Sequence, residues 1–162
     1  MSEEAFDLNS LNDQELTEQV HDDLYNGLKE EVEEDEYWIP LGVGRTLCEG
    51  NDVTIVAVSG AVPEAVAAAE ELAKEGISAE VFDPRTLVPL DKKTILESVA
   101  KTKRAVIVQE ANRRGGVASD ICSIIQEELF YDLDAPVTIV AGLDIPIPFN
   151  LTLEKASVPQ KQ

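Results

Sequence analysis

Residues 53–83, VTIVAVSGAVPEAVAAAEELAKEGISAEVFD, decide the fold of this 162-residue chain. The β-branched run VTIVAV (53–58) is typical of a strand that is covered on both faces. Pro63 suits the first turn of a helix, the Ala, Glu and Leu residues favour helix, and Gly76 is placed to end it. AEVFD (79–83) predicts a second strand. The stretch therefore predicts a strand–helix–strand unit with parallel strands.

The same alternation continues towards the C-terminus. Asp91 can cap a helix over residues 92–102, and RAVIVQE (104–110) predicts a third strand. A glycine turn at 115–116 then opens a further helix, and PVTIVAG (136–142) predicts a fourth strand. The apolar faces of these two helices consist of Ile95, Leu96 and Val99, and of Val117, Ile121, Ile124, Ile125 and Leu129. The order indicates an α/β fold, a parallel sheet with helices on both faces.

Two flanking stretches have less regular patterns. VGRTLCEGND (43–52) predicts a short strand that ends in a tight turn. If this strand pairs with the next one, VTIVAV (53–58), the tight turn would make the two antiparallel. LDIPIPFNLTLEKASVPQKQ (143–162) contains three prolines, which forbid a long helix, so we expect an extended arm.

The net charge of −19 is unevenly distributed. Residues 1–36 hold 14 acidic residues and one lysine, a net of −13, whereas the remainder holds 18 acidic and 12 basic residues, a net of −6. Nucleic acid is excluded as an expected partner, because phosphate contacts need clustered Lys and Arg. A basic protein partner is compatible with this charge.

We expect residues 1–36 to form an acidic helix and linker, separate from a domain at 37–162. Ser10 and Asp13 resemble a capping box, and EEVEEDE (30–36) is typical of a solvated linker. Between them a narrow apolar stripe recurs every four residues, at Leu16, Val20, Leu24 and Leu28. The stripe fits either a helix packed on its own domain or a docking helix for a partner.

The residue inventory offers little for catalysis, so we expect no catalytic residue. His21 is the only histidine and lies in the acidic segment, which excludes a Ser-His-Asp arrangement in the body. Cys48 and Cys122 lack metal-ligand spacing, so we expect no metal site. The scattered cysteines, the absence of a signal-like start and the absence of a long apolar run favour a cytoplasmic or organelle-matrix protein without a membrane span.

Polar residues follow two strands, at the edge where open α/β sheets bind ligands. One group is Ser59-Gly60 with Pro84-Arg85-Thr86, and the other is the stretch from Glu110 to Gly116. The second group contains Arg113, Arg114, Gly115 and Gly116 before a helix whose free N–H groups favour an anion. Either group could equally be loop structure, with glycine for positive φ and arginine tying loops together.

Several segments together resemble one known family. They are YWIPLGVGRTLCEGNDVTIVAVS, AAAEELAKEGISAEVFDPRTLVPLDKKTILESVAKTKRAVIVQE, GGVASDI, LDAPVTIVAGLDIPIPF and LEKASVP. In this order they resemble the C-terminal, transketolase C-terminal-like domain of the beta subunit of thiamine-dependent 2-oxo acid dehydrogenases. The similarity runs from about Tyr37 to Pro159.

The resemblance implies a three-layer α/β/α fold with a five-stranded mixed sheet, four strands parallel and the first antiparallel. In such a fold Arg85 would hold neighbouring loops and Asp91 would start a helix. The family's thiamine diphosphate and Mg²⁺ lie between other domains of the complete enzyme, so we expect neither to be bound by this chain alone. Compared with the family, we expect the final helix to be missing because the sequence stops at SVPQKQ, and the pyrimidine-binding domain of the complete enzyme would precede this sequence.

The resemblance also implies partners: a homodimer or a dehydrogenase alpha subunit, and the small basic subunit-binding domain of the lipoyl acyltransferase. Acidic positions are expected at such an interface, and the candidates are Asp132, Asp134, Asp144 and Glu154. Our first hypothesis is therefore a structural domain that is inactive alone. The alternatives are a stand-alone interaction module that uses the acidic helix, and a small-anion-binding module that uses Arg113 to Gly116. The first hypothesis places the protein in the cytoplasm, or in the mitochondrial matrix of a eukaryote.

Overall fold

The structure is a computed structural model, and it describes residues 38–159. The predicted acidic helix and linker (1–36) lie outside these residues. Within residues 38–159, five strands and four helices occur in the order β1 (Arg45–Cys48), β2 (Val53–Ala57), α1 (Ala61–Lys74), β3 (Ala79–Asp83), α2 (Lys92–Thr102), β4 (Ala105–Asn112), α3 (Val117–Leu129), β5 (Thr138–Gly142) and α4 (Leu151–Ser157). No helix among the described residues is long and apolar enough to cross a membrane.

The strands form one mixed sheet in the order β1-β3-β2-β4-β5. Strands β2, β3, β4 and β5 are parallel to one another, and β1 pairs antiparallel with β3. The predicted four-parallel-plus-one sheet is therefore confirmed. The first strand does not pair with its follower β2, because β3 lies between them.

Helices cover both faces of the sheet, which confirms the three-layer prediction. Successive residues of β2 point to opposite faces, so Ile55 and Ala57 pack with Ala65 and Ala69 of α1. Val56 belongs to the opposite core, where α2 and α3 pack. The members of that core on the two helices are Ile95, Val99, Ala118, Ile121 and Ile125. The small alanines of α1 allow this helix to lie close to the sheet.

The predicted helix ends agree with the structure. α1 begins two residues before Pro63 and ends at Lys74, and Gly76 follows with a φ of +84°. A positive φ is costly for residues with a Cβ, so glycine suits the position where the chain leaves a helix. α2 spans the predicted residues and has Asp91 as its N-cap.

The C-terminal stretch differs from the prediction. We expected an extended arm after residue 142, but α4 (Leu151–Ser157) forms there. Its prolines stand before residue 149 and at 159, which leaves room for one short helix between them. Asn150 caps it, since its Oδ1 accepts hydrogen bonds from Thr152 N at 3.0 Å and Leu153 N at 3.3 Å.

Candidate functional site

Asp91 ends the loop between β3 and α2 and ties it to the start of the domain. Its Oδ1 accepts a hydrogen bond from Thr94 N at 3.2 Å, and its Oδ2 accepts from Thr94 Oγ1 at 2.9 Å and from Gly44 N at 3.0 Å. Desolvation raises the pKa of Asp91, but these hydrogen bonds, with the charge of Lys93, outweigh it and hold the pKa below its ordinary value. The Asp91 carboxylate therefore stabilises the loop and the start of α2 through hydrogen bonds.

Thr86, in the same loop, holds a second backbone segment. Its hydroxyl accepts from Gly42 N at 2.9 Å and donates to Pro89 O at 2.8 Å. Arg85 adopts a positive φ of 55°, and its amide donates to Asp83 Oδ1 at 2.8 Å. Its exposed guanidinium makes no hydrogen bond or ion pair to residues 38–159, so Thr86 and Asp91 do the loop-holding expected of Arg85.

Glu110 lies at the end of β4, beside the start of α1. A Cβ added at Gly60 would be 2.5 Å from Glu110 Oε1, so the carboxylate rests on the glycine at the helix N-cap. This position places a negative charge near the positive end of the helix dipole of α1. The contact joins the ends of two neighbouring parallel strands, β2 and β4.

Both arginines of the loop after β4 contact other residues of the domain. Arg113 Nη1 donates to Ile139 O at 3.4 Å, and Arg114 Nη2 pairs with Asp144 Oδ2 at 2.9 Å. Gly115 has a φ of +69°, which favours glycine. An open depression of 380 Å³ lies beside this loop, and it is lined by Ala111, Asn112, Arg114, Gly115, Gly116, Ile145, Pro146 and Ile147.

Gln109 occupies the N-terminus of α3, a role that the sequence analysis missed. Its Oε1 accepts a hydrogen bond from Ala118 N at 2.8 Å, and its Nε2 donates to Asn112 O at 2.8 Å. The side chain is almost fully buried. The signal was available, because a glutamine stands where the strand RAVIVQE points into the core. Gln109 thus takes up the Ala118 amide, one of the N–H groups to which the anion-binding hypothesis assigned a ligand.

The predicted site residues do not converge on one centre. The structure brings together Arg114 and Asp144, and also Glu110 and Gly60. Glu154 lies in the first turn of α4. Among residues 38–159, no group of three His, Cys, Asp or Glu side chains could hold a metal ion.

At the amino ends of the parallel strands, the edge opposite to the loops described above, an aromatic pair lies beside two aspartates, Asp132 and Asp134. Phe130 and Tyr131 follow α3, with ring centroids 5.2 Å apart and planes at 87°. Tyr131 is 95% exposed and Phe130 is 62% exposed. Asp134 nearby pairs with Arg104 at 3.2 Å, and Asp132 is exposed. Exposed aromatic side chains with a charged rim are typical of a protein interface.

Comparison with known proteins gives consistent matches. Residues 42–162 match the family described as Transketolase, C-terminal domain. The chain is 46% identical over 133 residues to pyruvate dehydrogenase E1 component subunit beta-1, mitochondrial, of Arabidopsis thaliana, covering 82% of this chain and 37% of that protein. It is 42% identical over 136 residues to 2-oxoisovalerate dehydrogenase subunit beta of Bacillus subtilis (strain 168), covering 83% and 42%.

A solved structure titled "Split gene transketolase, inactive beta4 tetramer" is also similar. Its TM-score is 0.62 at 33% identity, and the match covers 79% of this chain and 40% of that one. The chain thus spans 37% and 42% of the two curated relatives described above.

Proposed function

Because this chain belongs to the transketolase C-terminal domain family, we propose that it is the assembly domain of a thiamine-dependent 2-oxo acid dehydrogenase beta subunit. The observation that carries the proposal is its identity of 46% and 42% to beta subunits of two such dehydrogenases. The whole enzyme would decarboxylate a 2-oxo acid oxidatively and transfer the acyl group to a lipoyl acyltransferase. This domain, residues 37–162 with an acidic segment at 1–36, would support that reaction without catalysing it.

The side chains at the carboxyl edge favour a supporting role over a catalytic one. Asp91 and Thr86 bind backbone amides, and Arg114 is paired with Asp144. A catalytic acid or base needs a site in which it can reach a substrate proton. These three side chains instead hold loops in place, which supports the proposal that thiamine diphosphate and Mg²⁺ would be held elsewhere in the complete enzyme.

The proposed partners are a second beta subunit or a dehydrogenase alpha subunit, and the small basic subunit-binding domain of the lipoyl acyltransferase. Self-association is supported by the related structure, whose title describes a tetramer of beta subunits. The amino-edge surface of Phe130, Tyr131, Asp132 and Asp134 suits the basic domain, because aromatic anchors contribute affinity and acidic residues steer a basic partner. The proposed location is the cytoplasm, or the mitochondrial matrix in a eukaryote.

A binding measurement tests the proposal. The full chain is titrated calorimetrically with the purified subunit-binding domain of a lipoyl acyltransferase, with an acidic domain of similar size as the control. We expect saturable binding of the basic domain and none of the acidic one. Equal heats for both domains, or none for either, would contradict the proposed partner.

A further inference from the structure

Asp134 of the amino-edge surface is already paired within the domain. Its Oδ2 lies 3.2 Å from Nη2 of Arg104, and among residues 38–159 this guanidinium is the one partner of the carboxylate. Both side chains are partly exposed, 53% for Arg104 and 47% for Asp134. The two segments that meet here, 103–104 and 130–134, carry two basic and two acidic residues, so their charges cancel. A basic domain that approaches this surface therefore meets a carboxylate whose charge is already neutralised.

The position of Asp134 does not depend on its ion pair. The Asp134 amide donates to Lys103 O at 2.9 Å, and the Leu133 amide donates to Leu129 O at 3.2 Å. The Leu133 side chain also packs against the core between the sheet and the helices α2 and α3. These contacts hold the segment after α3 through its backbone and its apolar side chain. If the guanidinium of Arg104 leaves, the Asp134 carboxylate therefore stays in place and is free to bind another cation.

Arg104 keeps a second acceptor when it leaves Asp134. Its Nη1 donates to Asp52 O at 3.4 Å. Its carbonyl oxygen accepts hydrogen bonds from Thr54 N at 2.8 Å and Thr102 Oγ1 at 3.1 Å, which fix the backbone at the start of β4. An exchange of partners therefore moves only the exposed end of the Arg104 side chain. Exposed ion pairs contribute little free energy, because water solvates both charges, so an incoming lysine or arginine can replace Arg104 at small cost.

We propose that Arg104 is a specificity-determining residue of the amino-edge surface, which occupies Asp134 until a cation of the docking domain displaces it; this inference rests on the proposed function. A free carboxylate beside two exposed aromatic rings would attract many basic surfaces. With Arg104 in place, a partner gains from Asp134 only if its own lysine or arginine reaches hydrogen-bond distance and replaces the lost pair. Arg104 therefore penalises partners that are basic but do not fit, which is one of the two ways in which specificity arises.

Surface plasmon resonance with the full 162-residue chain and the purified subunit-binding domain of a lipoyl acyltransferase tests the inference. Arg104→Gln should raise the affinity about threefold, because an exposed ion pair is worth up to about fivefold in an equilibrium constant. In the Asp134→Asn background the same substitution should give a smaller increase, because only the screened charge of Arg104 is then removed. Arg104→Lys retains the positive charge and should bind like the unmodified chain. Thermal melting should be the same for all four variants, since both side chains are partly exposed.

Arg85→Gln is the matched control, because it removes the same charge from an exposed guanidinium at the carboxyl edge of the sheet. Its affinity for the subunit-binding domain should equal that of the unmodified chain. An unchanged or lower affinity for Arg104→Gln, an equal gain with and without Asp134→Asn, or an equal gain for Arg85→Gln would overturn the inference and leave the proposed function standing. If the unmodified chain does not bind the domain, the proposed function and the inference fall together.

Discussion

Gly44 N donates a hydrogen bond to Asp91 Oδ2 across 47 residues of sequence, at 3.0 Å. The same carboxylate caps α2 through Thr94. One aspartate thus fixes both the start of a helix and the segment that leads into β1. The two roles explain why an acidic residue ends the loop PRTLVPLD, and they make the loop part of the framework of the domain.

Asp91→Ala should destabilise the domain by about 2 kcal/mol, because an N-cap is worth about 1 kcal/mol and the Gly44 amide loses its acceptor as well. Urea unfolding followed by circular dichroism measures the change. Asp132→Ala, at an exposed residue, should alter the free energy of unfolding by less than about 0.5 kcal/mol. Equal stabilities for the two variants would show that the Asp91 contacts contribute nothing.

Glu80 joins β3 to α2 through a buried polar cluster. Its carboxylate accepts hydrogen bonds from Ser98 Oγ and Lys101 Nζ, and Thr54 Oγ1 extends the cluster to Ser98 at 2.8 Å and Thr102 at 2.7 Å. We expect Glu80→Gln to cost about 2 kcal/mol, because it removes charge-assisted hydrogen bonds. Chemical denaturation measures the cost.

The control for Glu80 is Glu97→Gln, since Glu97 forms a largely exposed pair with Lys93 at 3.7 Å. Exposed pairs are worth less than about 1 kcal/mol, so this variant should be close to neutral. A neutral Glu80→Gln would refute the importance of the buried cluster.

Acid should destabilise the domain through the same two carboxylates. Desolvation raises the pKa of Glu80, but hydrogen bonds from Lys101, Ser98 and Gly50 outweigh it, so the pKa lies below its ordinary 4.5. The pKa of Asp91 is also lowered, from 3.8. A lowered pKa stabilises the fold above the unfolded value, and this contribution is lost as pH falls through the folded pKa.

The free energy of unfolding should therefore decrease as pH falls below 4.5. The decrease should be smaller in Glu80→Gln/Asp91→Asn, which lacks both titrating groups. Urea unfolding at a series of pH values measures both curves. Parallel curves would mean that other groups cause the acid sensitivity.

Two glycines at the carboxyl edge should respond differently to alanine. A Cβ at Gly60 meets the carboxylate end of Glu110, which is exposed and can move, whereas a Cβ at Gly142 would lie 2.3 Å from the backbone oxygen of Glu110. Gly60→Ala should therefore cost less than about 1 kcal/mol, and Gly142→Ala should cost more than about 2 kcal/mol because strands β4 and β5 must separate. Thermal melting ranks the two variants, and the reverse order would be inconsistent with this packing.

Docking of the basic acyltransferase domain should depend on salt. Tyr131→Ser should weaken binding at least tenfold at every salt concentration, because aromatic anchors contribute affinity through burial. Asp132→Asn should mainly slow association, and less so at high salt, because exposed charges act through screened attraction. Surface plasmon resonance at low and high salt separates the two effects. If neither substitution changes binding, the docking site does not include Tyr131 or Asp132.

The spacing of apolar residues and the residues that start or end helices were sufficient to predict the regular elements. The strands are continuous apolar runs, and the helices begin and end near Pro, Asp and Gly. They failed for α4, where three prolines suggested an extended chain and the cap at Asn150 was overlooked. The site was harder to predict. Arg85 and Arg113 are loop residues of the type that binds ligands, yet whether a polar side chain serves a ligand or its own backbone depends on contacts made far away in sequence. Thr86 shows the same limit, since its hydroxyl binds the amide of Gly42 in a distant segment of the chain.

The central claim is that this chain supports a dehydrogenase and holds no reactive centre of its own. A turnover assay with the purified full chain, thiamine diphosphate, Mg²⁺ and a series of 2-oxo acids measures it most directly. The account predicts no release of carbon dioxide above the buffer rate, for pyruvate or for branched 2-oxo acids. Sustained decarboxylation by this chain alone would contradict it.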